Sequence, residues 1–178
     1  MQAAVRRLQA HRDSGKLTDE VLEAKLEPED LDMLEQRISP TLWYPIDAYD
    51  RVMDVLRETE GGMGDDWWVQ YGAASAAEIL DFRPIQALLR AARGFGPRAG
   101  TVLVRMSPLY FNFSKWRFDG ESLEDFEVEV TEAEPMSEPC RLIVLGFLRH
   151  LAQEFLGHEI LLESDRPAHG RIIYRTPN

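Results

Sequence analysis

Apolar residues recur with a helical period over the first half of the chain. Leu31, Leu34 and Ile38 follow Pro28 at spacings of three and four residues, which is typical of one helix face. The same pattern predicts a helix over 3–12, one after an N-cap at Thr18, one from Pro28 and a stronger one that opens at Pro45. Two more are predicted over about 65–79 and 81–93, before the glycine and proline cluster at 94–97.

The second half contains strand patterns. Phe126, Val128 and Val130 alternate with acidic residues, and this alternation predicts a strand with one covered face and one solvated face. Lys115–Asp119 is predicted as another strand. The segment 101–106 fits a strand by its β-branched residues and a helix by its apolar spacing, so its type stays open.

A long helix followed by a strand pair closes the chain. Cys140–Leu156 places its apolar residues on one broad face, and Gly157 is predicted to end it. His158–Ser164 and Arg171–Arg175 are predicted to pair antiparallel across a turn at Asp165–Gly170. The pattern as a whole indicates an α+β protein with helices on one face of a roughly four-stranded antiparallel sheet. We expect an N-terminal helical arm at 1–38 and a ligand- or partner-binding domain at 39–178.

Composition narrows the class. The 178 residues carry 20 basic and 31 acidic side chains, a net charge of −11, which argues against general nucleic-acid binding. The single cysteine excludes an internal disulfide and a multi-cysteine metal site. No apolar run approaches the length of a membrane span. We therefore expect a cytoplasmic protein that binds no membrane, and the sequence indicates no cofactor.

Residues 82–118 form a basic segment in this acidic chain, because they include no acidic residue. Its seven cations are Arg83, Arg90, Arg93, Arg98, Arg105, Lys115 and Arg117. If they share one face, they favour an anionic small molecule or an acidic protein as partner. We expect the contacts to come chiefly from Arg90, Arg93, Arg98 and Arg105. The alternative is that these cations only neutralise the acidic flanks.

Other candidate chemistry is weaker. His150 and Glu154 are one helical turn apart, but two such residues often occur together by chance, so no metal site is predicted. Cys140 follows a proline at a helix start, where a thiol pKa can fall. No catalytic residue is assigned. Trp67 and Tyr71 are candidates for an interface, and we expect a homo-oligomer, most simply a homodimer.

A resemblance adds to this picture. It covers about 39–175 and begins with Trp43-Tyr44-Pro45-Ile46, then Tyr49, Arg51 and Leu56. It continues with Gly72 and Ala76, the helix Cys140–Leu156, and a last strand that ends Ile172-Ile173-Tyr174-Arg175. These features resemble a large paralogous family common in myxobacteria, whose members look similar to the haem-NO-binding-associated, 4-vinyl-reductase-like and TRAPP-type α/β folds.

The resemblance implies that 101–110 is helical, and the related folds tend to be small-ligand sensors or dimeric interaction modules. No haem-ligand histidine or cysteine cluster of those relatives can be placed in this sequence. We therefore expect a non-enzymatic module that binds a small ligand or a protein in bacterial regulation or assembly. The alternative is a small enzyme that uses Cys140 or a carboxylate in an aromatic-lined cleft.

Overall fold

The computed structural model describes residues 1–36, 38, 42–81, 83–93, 99–105, 107–109 and 111–177. The chain divides into two compact units, Met1–Trp67 and Trp68–Asn178. The described residues form helices and one four-stranded antiparallel sheet, which confirms the predicted α+β class. The unit that contains the N-terminal arm extends to residue 67, and a separate arm that ends at residue 38 stays a prediction.

The first unit is helical. Its helices are α1 (Gln2–Asp13), α2 (Asp19–Lys25), α3 (Pro28–Glu35) and α4 (Ile46–Thr59), and α5 (Gly64–Leu80) begins in it and continues into the second unit. Helix α1 packs against α4, and α2 contacts both α3 and α4. The three predicted helix starts are confirmed. Thr18 is the N-cap of α2, Pro28 is the first residue of α3, and Pro45 is the N-cap of α4.

Two ion-pair clusters join these helices. The carboxylate of Asp30 is 2% exposed and accepts bonds of 2.6 and 2.9 Å from the Arg51 guanidinium, which ties α3 to α4. It also accepts from the Glu27 N–H in a capping box. Glu60 accepts bonds of 2.7 and 2.8 Å from Arg7 and lies 3.0 Å from His11 Nε2, which ties α1 to the end of α4.

The second unit combines helices and the sheet. It contains the rest of α5, then α6 (Arg83–Arg93), α7 (Ala99–Val104), a 3₁₀ turn (Ser107–Leu109), β1 (Lys115–Gly120), β2 (Phe126–Thr131), α8 (Glu138–Leu156), β3 (Glu163–Ala168) and β4 (Arg171–Arg175). The sheet order is β1-β2-β4-β3. Phe126, Val128 and Val130 are buried, as the alternation predicted.

Helix α8 lies over the buried sheet residues. The Ser137 hydroxyl accepts from the Cys140 N–H at its start, and Gly157, in the left-handed region at φ 78°, ends it as predicted. Tyr174 of β4 is fully buried, and its hydroxyl donates to the Arg141 carbonyl at 3.2 Å. Burial is the main reason that the pKa of Tyr174 lies well above its ordinary value.

Helices α5 and α8 approach each other through two glycines. A Cβ added to Gly72 of α5 would lie 1.9 Å from the Ile143 carbonyl oxygen of α8. A Cβ added to Gly146 of α8 would lie 1.9 Å from the Val69 carbonyl oxygen of α5. The contact is therefore reciprocal, and neither position has room for a side chain.

Two boundaries differ from the sequence prediction. The segment 101–110 is not one helix: α7 ends at Val104, a 3₁₀ turn covers 107–109, and residues 106 and 110 lie outside the described part. Strand β3 begins at Glu163 and includes Pro167, which the sequence placed in a turn. Proline is tolerated there because β3 is an edge strand whose register shifts between Asp165 and Ala168.

Arginines of α8 hold this edge strand. Arg149 donates to the Leu162 carbonyl at 2.9 and 2.5 Å, and Arg141 donates to the Ser164 carbonyl at 3.1 Å. Arg141 also bonds to Glu138, which pairs with Arg166 of β3 at 2.8 Å. Side chains from the covering helix thus satisfy main-chain oxygens at this edge of the sheet.

Candidate functional site

A groove lies between the end of α5, α6 and the second half of α8, and we call it the Arg90 groove. Its volume is about 430 Å³. Helix α5 and the residue after it contribute Ala77, Leu80 and Asp81, α6 contributes Gln86 and Arg90, and α8 contributes His150, Glu154 and Phe155. Its described lining includes the Arg90 guanidinium, the His150 imidazole and the carboxylates of Asp81 and Glu154, and the groove is open to solvent.

Helical spacing explains why these side chains meet. Gln86 and Arg90 are four residues apart on α6, and Arg83 lies one turn before Gln86 on the same face. His150 and Glu154 have the same i, i+4 spacing on α8. The groove therefore joins two polar helix faces over an apolar floor. The sequence singled out Arg90 and, separately, the His150/Glu154 pair, but gave no sign that they face each other.

The predicted anion contacts have different outcomes. Arg90 is exposed and, within the described part of the chain, makes no hydrogen bond or ion pair. Arg105, just after α7, is exposed as well. The side chain of Arg93 and the whole of Arg98 lie outside the described residues. The anion-binding role of all four arginines stays a prediction, with Arg90 placed in a groove.

The two cations of β1 are instead neutralised within the sheet. Glu129 of β2 lies 3.0 Å from Arg117 and 2.7 Å from Arg171 of β4. The hydrogen bond from Arg171, followed by the one from Arg117, holds the pKa of Glu129 below its ordinary value. Lys115 pairs with Glu132. For these two side chains the alternative interpretation, neutralisation of acidic flanks, describes what is found.

A second pocket of about 340 Å³ lies beside the end of the chain. It is shallow, and it is lined by Glu124 and His158, whose side chains are 3.7 Å apart and mostly exposed, together with Ile160, Leu161, Thr176 and Pro177. Among the described residues, no group of three or more histidine, cysteine or acidic side chains is arranged to hold a metal ion. Neither pocket therefore provides a metal centre from described side chains.

Cys140 is 1% exposed, at the first turn of α8. A thiolate nucleophile needs access to its substrate, and this thiol has none without local opening of the helix. If that opening costs about 3 kcal/mol, we expect native Cys140 to react with an aromatic disulfide reagent roughly a hundredfold more slowly than a free thiol.

The absorbance of the released aromatic thiol, followed with and without denaturant, measures the rate at which the Cys140 thiol reacts. Equal rates for native and denatured protein would contradict the burial of Cys140 and would favour the enzyme alternative.

The interface candidates lie side by side on α5. Tyr71 is 5% exposed and lies on the part of α5 that belongs to the second unit. Trp67 is half-buried in the first unit, where its ring packs against the backbone of Gly62. Their role in self-association stays a prediction, and the burial of Tyr71 does not support it. Larger exposed apolar side chains in the described part are Leu42, Trp43, Met63 and Leu161.

Solved structures with the same fold are H-NOX proteins. The Fe(II) unliganded H-NOX protein from K. algicida matches with a TM-score of 0.62 at 12% identity, over 99% of this chain and 97% of that one. The fold is H-NOX-like. A variant of the T. tengcongensis H-NOX matches with a TM-score of 0.59 at 14% identity, over 100% of this chain and 98% of that one. No protein-family model and no curated protein match the chain.

The H-NOX-like fold confirms one part of the predicted resemblance, namely the similarity to folds related to haem-NO-binding proteins. The narrower assignment to a myxobacterial family is not supported by these matches. At such low identity the likeness concerns the fold. Among the described residues, no helix combines the length and apolar character of a bilayer-spanning segment.

The described histidines and Cys140 do not provide a haem ligand within either unit. Haem iron requires an axial histidine, cysteine, methionine or tyrosine in a shielded site. His11 is bound to Glu60, His150 lies in an open groove with two carboxylates, and His158 and His169 are exposed. Cys140 and Tyr174 are buried between α8 and the sheet. None of these donors faces an enclosed apolar cavity inside its unit.

Proposed function

We propose that the chain is a non-enzymatic binding module that uses an H-NOX-like fold to recognise an anionic group in the Arg90 groove. The ligand is a small molecule with an acidic group or an acidic segment of a protein, and the role is regulatory. The protein acts as a homo-oligomer. Membership of the myxobacterial family belongs to this proposal too, because the fold is compatible with it.

The state of Arg90 carries the proposal. A guanidinium presents five N–H donors that match a carboxylate or phosphate. Among the described lining residues, Arg90 supplies the guanidinium, and it has no carboxylate partner in the described part of the chain. Many other arginines in the described part are already paired, as Arg7, Arg51, Arg117 and Arg171 show. An unpaired guanidinium beside an apolar floor is suited to a ligand with an acidic and an apolar part.

The neighbouring groups define what else the ligand meets. Gln86 offers an amide that both donates and accepts, and His150 lies one turn from Glu154 on the opposite wall. Asp81 and Glu154 place negative charge in the groove, which disfavours a ligand that carries many acidic groups. A monoanionic or zwitterionic group is therefore favoured over a polyphosphate.

One solved structure with this fold concerns haem redox potential and porphyrin distortion. The proposed ligand mode differs from haem binding, because the described histidines and Cys140 do not provide a haem ligand within either unit. The shared scaffold supports a sensor or binding role, and the groove supplies its chemistry.

Replacing Arg90 with alanine is expected to weaken anion binding by tenfold or more, because a hydrogen bond to a charged group contributes about 1.5–3 kcal/mol. Native mass spectrometry of the full purified chain shows any ligand that copurifies. Titration calorimetry with acetate, inorganic phosphate and a short neutral-flanked peptide that carries one glutamate then measures binding to the wild type and to Arg90→Ala.

Arg171→Ala is the matched control, since it removes the same charge from a side chain that is already paired with Glu129. Retained binding in Arg171→Ala together with lost binding in Arg90→Ala supports the proposal. If both variants lost the same binding affinity, the loss would be explained by the change in net charge, and a site at Arg90 would be contradicted. The absence of both a copurified ligand and any titratable binding would contradict the proposal as well.

A further inference from the structure

The two edge strands of the sheet, β3 and β1, differ in how far their backbone groups are protected from pairing with another chain. At the β3 edge, Pro167 removes a backbone donor, the register shifts, and Arg141 and Arg149 occupy main-chain carbonyls. These are features that keep an edge strand from pairing with another chain. At the other edge, β1 pairs with β2 without a bulge over six residues, Lys115 to Gly120, and contains no proline.

Within the described part of the chain, the backbone of β1 makes no hydrogen bond outside the sheet. Its inward-facing residues, Trp116 and Phe118, are only half-buried, whereas Val128 and Val130 opposite them on β2 are 2% and 0% exposed. Helix α7 contacts β1, with Gly100 against the Phe118 ring, and leaves part of the apolar face of β1 exposed. An edge of this kind is a template for another strand.

The charge pattern of β1 indicates which strand fits. In an antiparallel pair of two copies of β1, residues that lie opposite each other point to the same face. If Phe118 lies on the two-fold axis, Arg117, which pairs with Glu129 and lies 3.6 Å from Asp119 in its own chain, is also opposite Asp119 of the second copy. Lys115 is then opposite Glu121, the residue that follows β1. The axis repeats both pairs, which gives four pairs of opposite charges on the outer face.

Other registers are poorer. If the two-fold axis passes through Arg117 instead, the Arg117 side chains of the two copies lie opposite each other. If it passes through Asp119, the two Asp119 side chains lie opposite each other, and in both cases like charges repel. The Phe118-centred register also sets Trp116 opposite Gly120, where the missing side chain leaves room for the indole. The chain thus carries a self-complementary strand at its unprotected edge.

We infer that β1 is a homodimer interface, in which two copies of the chain join their sheets antiparallel about Phe118. The result is a continuous eight-stranded sheet with the capped β3 strands at its two ends. This interface is distinct from the Arg90 groove, so its test is independent of anion binding.

Charge exchange at β1 tests the inference. In a dimer of Asp119→Arg, each Arg117 lies opposite an arginine at position 119 of the other copy. In a dimer of Arg117→Glu, each Asp119 lies opposite a glutamate at position 117, so both variants contain two repulsive pairs. Each variant is expected to dissociate at least roughly tenfold more readily than the wild type, since each cross-strand pair changes sign. An equimolar mixture of the two variants restores every pair of opposite charges and is expected to dimerise again.

Light scattering coupled to gel filtration gives the mass, which is 20.4 kDa for one chain and twice that for a dimer. Asp165→Arg, on the outer face of β3, makes the same charge change away from the interface and is expected to leave the dimer intact. Circular dichroism checks that each variant is folded.

A monomeric wild type at all concentrations would overturn the inference. So would dimers that survive in both single variants, or a mixture that fails to reassociate while both variants are folded. If Arg117→Glu does not fold, hydrogen exchange on the wild type decides. The β1 amides must then exchange more slowly at high than at low protein concentration, and unchanged exchange would count against the interface.

Discussion

Gly72→Ala is expected to lower the free energy of unfolding by about 3 kcal/mol. The added Cβ would lie 1.9 Å from the Ile143 carbonyl oxygen, which is main chain and cannot rotate away. Helices α5 and α8 must therefore separate. Alanine is otherwise the better helix former by about 1 kcal/mol, so the sign of the effect is informative.

Urea unfolding followed by circular dichroism measures the effect of Gly72→Ala. Ala74→Ser adds one atom on the exposed face of the same helix and is expected to change stability by less than about 0.5 kcal/mol. Gly146→Ala should resemble Gly72→Ala, and the double variant should cost less than the sum, because one separation accommodates both methyl groups. A stabilised Gly72→Ala would disprove the close contact.

Arg51→Ala is expected to lower the free energy of unfolding by about 3 kcal/mol at neutral pH, because it leaves the Asp30 carboxylate buried with one remaining donor, the Glu27 N–H. Burial alone would raise the pKa of Asp30. The hydrogen bonds from Arg51 and Glu27, together with the charge of Arg51, outweigh that effect and lower the pKa below its ordinary value of 3.8.

The pH dependence follows from this sign. In the wild type, Asp30 contributes stability above its unfolded pKa and loses it as the pH falls through its lower folded pKa. In Arg51→Ala, burial is no longer offset and the pKa of Asp30 rises, so acidification relieves the buried charge. The stability gap between the two proteins should be largest at pH 7 and should narrow on acidification toward pH 3.

Urea unfolding at pH 7, 5 and 3 measures that gap. Lys25→Ala removes an exposed ion pair with Glu58 and serves as the control, with an expected cost of at most about 1 kcal/mol. If Lys25→Ala were as costly as Arg51→Ala, or if the gap did not depend on pH, the buried pair would not act as described.

The sequence predicted the elements whose signals are local. Alternation over 126–131 gave β2 with its bounds, and the apolar face of 140–156 with Gly157 gave α8 to within two residues. It misplaced β3, because Pro167 signals a turn unless the strand lies at an edge, and edge position depends on the pairing of distant segments. The type and bounds of 101–110 were also misjudged, because its apolar spacing fits both a helix and a strand and does not show where α7 ends.

The candidate site was less predictable for the same physical reason. Arg90 was singled out by charge and His150 by spacing, but helix packing alone decides that they share a groove. The pairing of Lys115 with Glu132 and of Arg117 with Glu129 likewise follows from the strand register. Charge along a chain shows where cations are abundant, and tertiary structure determines which of them remain available.

The arginines of α8 have a consequence for sequence variation. Arg141 and Arg149 grip Ser164 and Leu162 through main-chain oxygens, which every amino acid possesses. Divergent homologues can therefore exchange the residues at positions 162 and 164 for others of similar burial and keep the tether, whereas the two guanidinium groups have no substitute of equal reach and geometry. We therefore expect more sequence variation at positions 162 and 164 than at the two arginine positions of α8.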